Sequence, residues 1–292
     1  MTKIRFGIAV DGSTDPAGLA GIVDSLEAAG VDSLWFPELV YSPAVDPTVG
    51  MAYALARTEK LKVGTSVAIL PGRNPVLVAK QLLSLSALAP GRVLPVFGLQ
   101  AARAEERRLF PVPHGRRADL FDESLRLLRA ALGGGEVSFR GDYFDLDFRL
   151  DAGPRPLDVW IGGAAAAALR RIGRYGDGWL GSFLTPVQAG RARETIIDAA
   201  AEAGRTIEDD HFGITLLFAE GGVPPHVHDV LRGQRPDTDP AELISDSWSD
   251  LHRKLDGYLD AGLSKFVISA VGTPSARSFI DRFVAELLPR QN

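Results

Sequence analysis

The chain has 292 residues, of which 46% are hydrophobic and 24% charged, and its formal net charge is -5. That length suits one large α/β domain as readily as two, and so small and sign-mixed a charge points away from nucleic acid or an anionic membrane and toward a small-molecule ligand. There is no cysteine, which excludes disulfides, thiolate catalysis and Cys-ligated metal centres.

The N-terminal residues run directly into an apolar strand without a signal-peptide pattern. No segment approaches the roughly 20 apolar residues of a membrane span, so a cytoplasmic location is expected. Ile4 to Val10 predicts a first strand, and Asp15-Pro16 opens a helix on which Leu19, Ile22, Val23 and Leu26 recur at helical spacing. Gly30 stands where a left-handed residue ends that helix. Val31 to Phe36 predicts a second strand, and Asp46-Pro47 heads a second helix ending near Lys60.

Val63, Val67, Ile69 and Leu70 give a third strand its buried bulk, and Asn74-Pro75 supplies an N-cap followed by a residue whose fixed φ suits the first helical position. Further strands are expected over Val93 to Leu99, Leu157 to Ile161, Trp179 to Leu184, Phe212 to Ala219 and Lys265 to Val271. Helix starts of the same X-Pro form recur at Thr185-Pro186, Asp239-Pro240 and Thr273-Pro274. Eight alternating units imply a (β/α)8 TIM barrel formed by residues 1–292 as a single domain.

Pro95 cannot donate to a sheet ladder and predicts a bulge in the fourth strand. Two insertions break the rhythm: Glu136 to Leu146, after the fourth helix, reads as a hairpin turning at Arg140-Gly141-Asp142, and Gly221 to Thr238, after the seventh strand, reads as a long loop. The second is either a lid over the working end or a mobile surface loop. A doubly wound sheet is the alternative fold, but Asp11-Gly-Ser-Thr-Asp-Pro offers one glycine where a dinucleotide fingerprint needs three.

Working residues in a barrel sit at the C-terminal ends of its strands. There, Trp160-Ile-Gly-Gly-Ala-Ala165 runs a strand into two glycines and small residues, so that backbone N–H groups and a helix dipole face a phosphate, unless the glycines serve packing alone. Glu38 is the candidate catalytic residue, handling a proton or contacting a cofactor ring; its structural alternative is a rim ion pair. Arg103, Arg107, Arg108, Arg116 and Arg117 form either a solvated helix face or a capture site for an anionic tail. His226 and His228 have no carboxylate at ligand spacing, so no metal site is expected. Tyr41, Phe110, Phe183 and Trp248 either line a pocket or pack, and Ile244, Trp248, Leu251 and Leu255 fit a buried face or a subunit interface.

Gly64-Thr-Ser-Val67, Arg73-Asn-Pro-Val76, Ala79-Lys-Gln, Pro90-Gly-Arg-Val93, the glycine pair after Trp160-Ile161 and Gly176-Asp-Gly-Trp179, taken in order, resemble the bacterial luciferase-like oxidoreductases. Within that family the likeness is to actinobacterial enzymes that use the deazaflavin coenzyme F420. The resemblance implies a non-proline cis peptide at Ser66-Val67 against one face of the flavin ring. It also implies a cofactor tail held by Gly98, Ala101 and Arg103 and by Gly162, Gly163 and Ala164.

The implied activity is hydride transfer between reduced F420 and a small organic substrate, with a reductase system supplying reduced cofactor and a homodimer as the assembly. Two departures stand out. Val96-Phe-Gly-Leu-Gln100 keeps only Gly98 of a Gly-x-Gly-x-Gly-like spacing, and Pro37-Glu38-Leu39-Val40 lacks the catalytic histidine of the family's sugar-phosphate dehydrogenases. The alternatives are an FMN-dependent luciferase-like monooxygenase fed by a partner reductase and a non-enzymatic ligand-binding barrel.

Overall fold

In the computed structural model, which describes residues 3–272 and 275–292, the apolar runs become short parallel strands joined through helices. The predicted helix start at Thr273-Pro274 and the side chain of His226 lie outside the described residues. The chain begins with β1 (Arg5–Ala9), α1 (Leu19–Ala29), β2 (Ser33–Phe36) and α2 (Pro47–Arg57). A split strand follows, β3 (Lys62–Thr65) and β4 (Ala68–Ile69), then α3 (Pro75–Leu88) and a second split strand, β5 (Val93–Leu94) and β6 (Val96–Gly98). After α4 (Arg117–Gly133) come β7 (Gly135–Arg140) and β8 (Asp145–Leu150), then β9 (Trp160–Gly162), α5 (Ala166–Tyr175), β10 (Gly178–Ser182), α6 (Pro186–Glu202) and β11 (Phe212–Phe218). The last elements are α7 (Pro225–Gln234), α8 (Pro240–Leu243), β12 (Ile244–Ser245), α9 (Trp248–Asp260), β13 (Lys265–Ala270) and α10 (Ala276–Leu287).

The helix starts have the chemistry their sequences announce. The side chains of Asp46, Asn74, Thr185 and Asp239 each accept from first-turn N–H groups, with proline at the next position. Gly30 ends α1 at φ 73°. The strands form a curled parallel sheet: from β1 the order runs through β2 and β3 to β5 in one direction, and through β13, β11, β10, β9 and β6 to β4 in the other. β3 and β4 lie along one stretch of chain, as do β5 and β6, and β3 pairs with β5 while β4 pairs with β6.

Alternation along each strand sends side chains to two cores. Phe6, Leu34, Val63, Phe212 and Phe266 pack between sheet and helices, while Ala9, Trp35, Val96, Trp160, Leu180 and Val267 form a separate buried cluster on the inner face of the curl. Trp35 fills space that a side chain at position 64 would occupy, since a Cβ on Gly64 would lie 2.5 Å from its ring. At the N-terminal ends of the strands, Asp32 accepts from Lys62 Nζ at 2.8 Å and Lys265 Nζ at 2.9 Å. Burial alone would raise the Asp32 carboxyl, but the two ammonium charges bring it down to about 2.

Four segments differ from the sequence expectation. The strand predicted over Leu157 to Ile161 forms only at Trp160–Gly162, because Val159 N–H donates to the Asp177 carboxylate at 3.0 Å instead of joining a ladder. The loop predicted over Gly221 to Thr238 contains α7, whose Val227 and Leu231, four residues apart, are buried against Ala219, Leu243 and Ile244. The helix opened by Asp239-Pro240 stops after four residues, since Ile244 and Ser245 pair with Leu217 and Phe218, and Ser247 then caps α9. Ile244 therefore does not share a helix with Trp248, Leu251 and Leu255, and all four are buried within this chain.

The hairpin is longer than predicted, pairing Gly135 with Leu150 and Arg140 with Asp145. Its turn is set from outside. The buried Glu123 carboxylate on α4 accepts the N–H groups of Asp142, Tyr143 and Phe144, each at 2.8 Å.

Candidate active site

At the C-terminal edge of the sheet the chain breaks between β3 and β4, and the Ser66-Val67 peptide there is cis. Val67 projects its two methyl groups at glycines on neighbouring strands: a Cβ on Gly98 would lie 2.5 Å from Val67 Cγ2, and one on Gly162 would lie 2.8 Å from Cγ1. The structure thus brings Val67, Gly98 and Gly162 into one contact. Glycine is required at both positions by the volume of that valine. Ile69, Ala101 and Phe110 form a small buried cluster on which Val67 packs, and Ala101 is 1% exposed.

The chain leaves β9 through Gly163, whose φ of 126° an L side chain rarely adopts and whose carbonyl accepts from Trp179 Nε1 at 2.9 Å. Ala164 packs at the edge of the core, and α5 then starts at Ala165 with no side-chain cap and only alanines in its first turn. First-turn N–H groups have no intrahelical partner, so they and the positive end of the helix face outward past methyl groups alone. This donor set, unobstructed and without counter-charge on the turn itself, fits a phosphate.

Glu38 is 6% exposed and both its oxygens are engaged. One accepts Ile69 N–H at 2.6 Å and the other pairs with Arg73 Nη2, so the carboxylate joins the end of β2 to the loop after β4. Burial pushes its pKa up, with the Arg73 guanidinium and the Ile69 N–H pulling against burial without reversing it. The rim ion pair is what its geometry displays. Arg73, in turn, lies over the Phe110 ring with 5.4 Å to the centroid.

The basic cluster after β6 divides: burial, with the charge of nearby Arg107, lowers the Arg117 pKa, while Arg116 and Arg103 turn elsewhere. Arg107 Nε donates to the Ala101 carbonyl at 3.2 Å, Arg117 Nη2 to the Phe110 carbonyl at 3.2 Å, and Arg116 Nε to the Tyr143 hydroxyl at 3.0 Å. Arg103 turns toward the loops after β1 and β2, where its Nη1 is 3.5 Å from Glu106 Oε1. The structure does not bring Arg103 to the Gly162–Ala164 turn.

Of the aromatic candidates, Phe110 and Trp248 are buried, Trp248 tilted against Phe218, whereas Tyr41 is 49% exposed. Phe183 adopts φ 54° at the end of β10, and its carbonyl accepts from Arg235 Nη1 at 2.6 Å. His228 lies on α7, half-buried. Among the described residues no group of three His, Asp or Glu side chains is placed to hold a metal ion.

Sequence reasoning did not single out two residues of this region. Arg73 was recognisable only as part of a motif, although a cation after the third strand opposite an acid after the second is the signal of a rim pair. Glu106 gave no signal, since its spacing from Arg103 also fits an exposed helical pair, yet it is fully buried.

Residues 1–221 match the model of the luciferase-like monooxygenase domain. The F420-dependent glucose-6-phosphate dehydrogenase of Kineococcus radiotolerans is 26% identical, with 94% of this chain and 93% of that protein covered. The enzyme of the same name from Beutenbergia cavernae is 27% identical, with 94% and 93% covered. Among solved structures, an F420-dependent secondary alcohol dehydrogenase in complex with an F420-acetone adduct superposes with a TM-score of 0.84 at 18% identity, covering 99% of this chain and all of its own. The F420-dependent tetrahydromethanopterin reductase of Methanopyrus kandleri gives a TM-score of 0.79 at 18% identity, covering 99% and 100%. At that identity the two structures speak for the fold alone.

Proposed function

Because the chain belongs to the luciferase-like monooxygenase family, we propose that it is an F420-dependent oxidoreductase acting on a small organic substrate. The observation that carries this reading is the contact of Val67 with Gly98 and Gly162, beside the uncapped, alanine-lined start of α5. In this reading the Ser66-Val67 bulge supports one face of the deazaflavin ring, and Gly162, Gly163 and Ala164 hold the phosphate of its tail through backbone N–H groups. When bound, F420 supplies or accepts a hydride. The protein's part is positioning: the buried Ile69, Ala101 and Phe110 cluster excludes water behind the bulge, and Glu38 fixes the loop that carries it by holding Ile69 N–H and Arg73. Glu38 serves this role rather than meeting the substrate.

The curled sheet is proposed to be a closed (β/α)8 barrel with insertions after α4 and β11. Pairing of β3 with both β2 and β5, and of β4 with β6, supports closure. Leu39 stands in the region where the family's sugar-phosphate dehydrogenases carry their catalytic histidine, so glucose 6-phosphate is not the proposed substrate. A homodimer is proposed on the exposure of Val49 and Tyr53 on α2 and Leu77 on α3, at 61%, 40% and 65%; light scattering at the monomer mass would exclude it. A cytoplasmic location and a separate reductase system supplying reduced F420 belong to the same proposal.

The deciding experiment is titration of the purified protein with F420 and with FMN, followed by fluorescence and calorimetry. Binding of F420 in preference to FMN is expected. Preference for FMN would replace the reading with the monooxygenase, and binding of neither would leave a barrel without this chemistry.

A further inference from the structure

The placement of Arg103 separates it from the turn that fits the cofactor's phosphate. A Cβ on Gly12, just past the end of β1, would lie 3.5 Å from Arg103 Nη2, 3.0 Å from Leu39 Cδ1 and 3.5 Å from Ser42 Cβ. The guanidinium therefore rests against the loops after β1 and β2, although its own backbone follows β6. The phosphate-fitting turn follows β9, and in the order of the sheet β1 and β9 are far apart whichever way one counts. β13, β11 and β10 intervene on one side, and β2 and the two split strands on the other.

What holds Arg103 there is a carboxylate withdrawn from solvent. Glu106 is 0% exposed; its Oε1 accepts Tyr41 N–H at 2.9 Å and faces Arg103 Nη1 at 3.5 Å, while its Oε2 is buried with no hydrogen-bond partner among the described residues. The Arg103 side chain is 39% exposed, and no described residue accepts a hydrogen bond from it. Its planar fork of donors thus faces Glu106 through Nη1 and is partly exposed, with no hydrogen bond made to a described residue. Asp11, in the loop after β1, directs Oδ1 into its own loop, accepting from Ser13 N–H at 2.9 Å and from the hydroxyls of Ser13 and Thr14 at 2.8 and 3.1 Å.

We propose that Arg103, positioned by Glu106, binds an anionic group of the substrate, a carboxylate or a phosphate, on the β1–β2 side of the site, and does not hold the cofactor's tail. The inference rests on the F420 reading for what occupies the other side. A substrate carrying its oxyanion at Arg103 and its reacting carbon toward the ring face that Val67 leaves open spans the mouth of the curl, which gives the site one anion contact for each of its two ligands. Glu106 acts through Arg103 and through the Tyr41 backbone, and is a positioning residue.

The test uses the full chain and three probes: F420, the deazaflavin chromophore without its phosphate tail, and inorganic phosphate, the last titrated with and without F420. Arg103→Ala should leave the affinities for F420 and for the tailless chromophore within about twofold of wild type, and should weaken phosphate about tenfold, as expected for loss of a charge-assisted contact. Arg103→Lys, which keeps the charge without the fork, should restore phosphate only in part. Glu106→Gln keeps an acceptor for Tyr41 N–H and removes the charge facing Arg103; phosphate should weaken about threefold, with the thermal midpoint and F420 affinity read alongside. Tighter phosphate binding in Glu106→Gln, the result of merely freeing a counter-charge, overturns the positioning role.

A loss of about tenfold or more in F420 affinity for Arg103→Ala, with the tailless chromophore unaffected, overturns the whole inference and returns Arg103 to the tail. So does phosphate binding that is absent in the wild type or indifferent to Arg103. If the wild type fails to bind F420, the proposed function falls, and the difference between wild type and Arg103→Ala in the phosphate titration without F420 still reads the Arg103 site.

Discussion

Replacing Gly98 by alanine tests the contact that carries the functional reading. The new Cβ would stand 2.5 Å from Val67 Cγ2, against 3.4–4 Å for ordinary contact, so one of the two must give way by about 1 Å. Val67 cannot retreat toward β9, because its other methyl already sits where a Cβ on Gly162 would come within 2.8 Å. Overpacking of this kind costs about 1–3 kcal/mol, and the upper half of that range is expected here because Gly98 itself is buried. Val67→Ala removes both methyls and should relieve the clash. In equilibrium urea unfolding followed by circular dichroism, the double variant is expected to be more stable than the sum of the single changes by about 1–2 kcal/mol. Titration with F420 should show weaker binding for Gly98→Ala and partial recovery in the double variant, since in the proposed reading the displaced valine is the surface offered to the ring. Additivity within about 0.5 kcal/mol would refute the contact. Lost stability with unchanged F420 affinity would refute its role in binding.

The Asp32 cluster should set the acid limit of the fold. With its carboxyl brought down from 3.8 to about 2, its contribution of about 2 kcal/mol is fully present above pH about 4 and lost as the pH falls toward 2. Asp32→Asn should abolish that part of the slope in urea midpoints measured across pH 2 to pH 5, about 3 units. Glu38 has the opposite sign: its pKa is raised by burial, so the stability it contributes is present below its ordinary value and declines as pH rises through the raised one. Glu38→Gln, which still accepts Ile69 N–H, should flatten that decline and stay within about 1 kcal/mol of wild type at neutral pH, whereas Glu38→Ala, leaving Arg73 and the Ile69 N–H unpaired, should lose about 1–3 kcal/mol. Equal losses in the two variants would show that the ion pair, not the backbone contact, is what matters.

Local chemistry determined much of this protein on its own. Each X-Pro pair in the described residues that looked like a helix start is one, because an N-cap acceptor and a proline at N1 act within a single turn and need no tertiary partner. Pro95 splits its strand for an equally local reason, the missing N–H. The alternation of strands and helices sufficed to indicate a parallel α/β sheet, and ordered motifs sufficed to indicate the family. Elements whose ends depend on distant partners were not legible. β9 is short because Asp177 takes the Val159 N–H, and the run from Pro240 is cut because β11 offers Ile244 an edge. The same holds for α7, whose small apolar face became visible only with Ala219, Leu243 and Ile244 beneath it.

The site divides in the same way. Glycines at positions 98, 162 and 163 were candidates from sequence, but only the folded chain shows that two of them are emptied for the methyls of Val67. Glu38 was one acid among 37 acidic residues until the ends of β2 and β4 placed Arg73 and Ile69 N–H on its two oxygens. Arg103 follows β6 in the chain yet lies against Gly12, and Glu106 is buried beneath the Tyr41 backbone. Sequence supplies the residue types that can cap a turn, open a strand or hold an anion. Which of them face each other is decided by how the sheet curls, since curling is what sets residues 12, 38, 67, 103 and 162 on one edge.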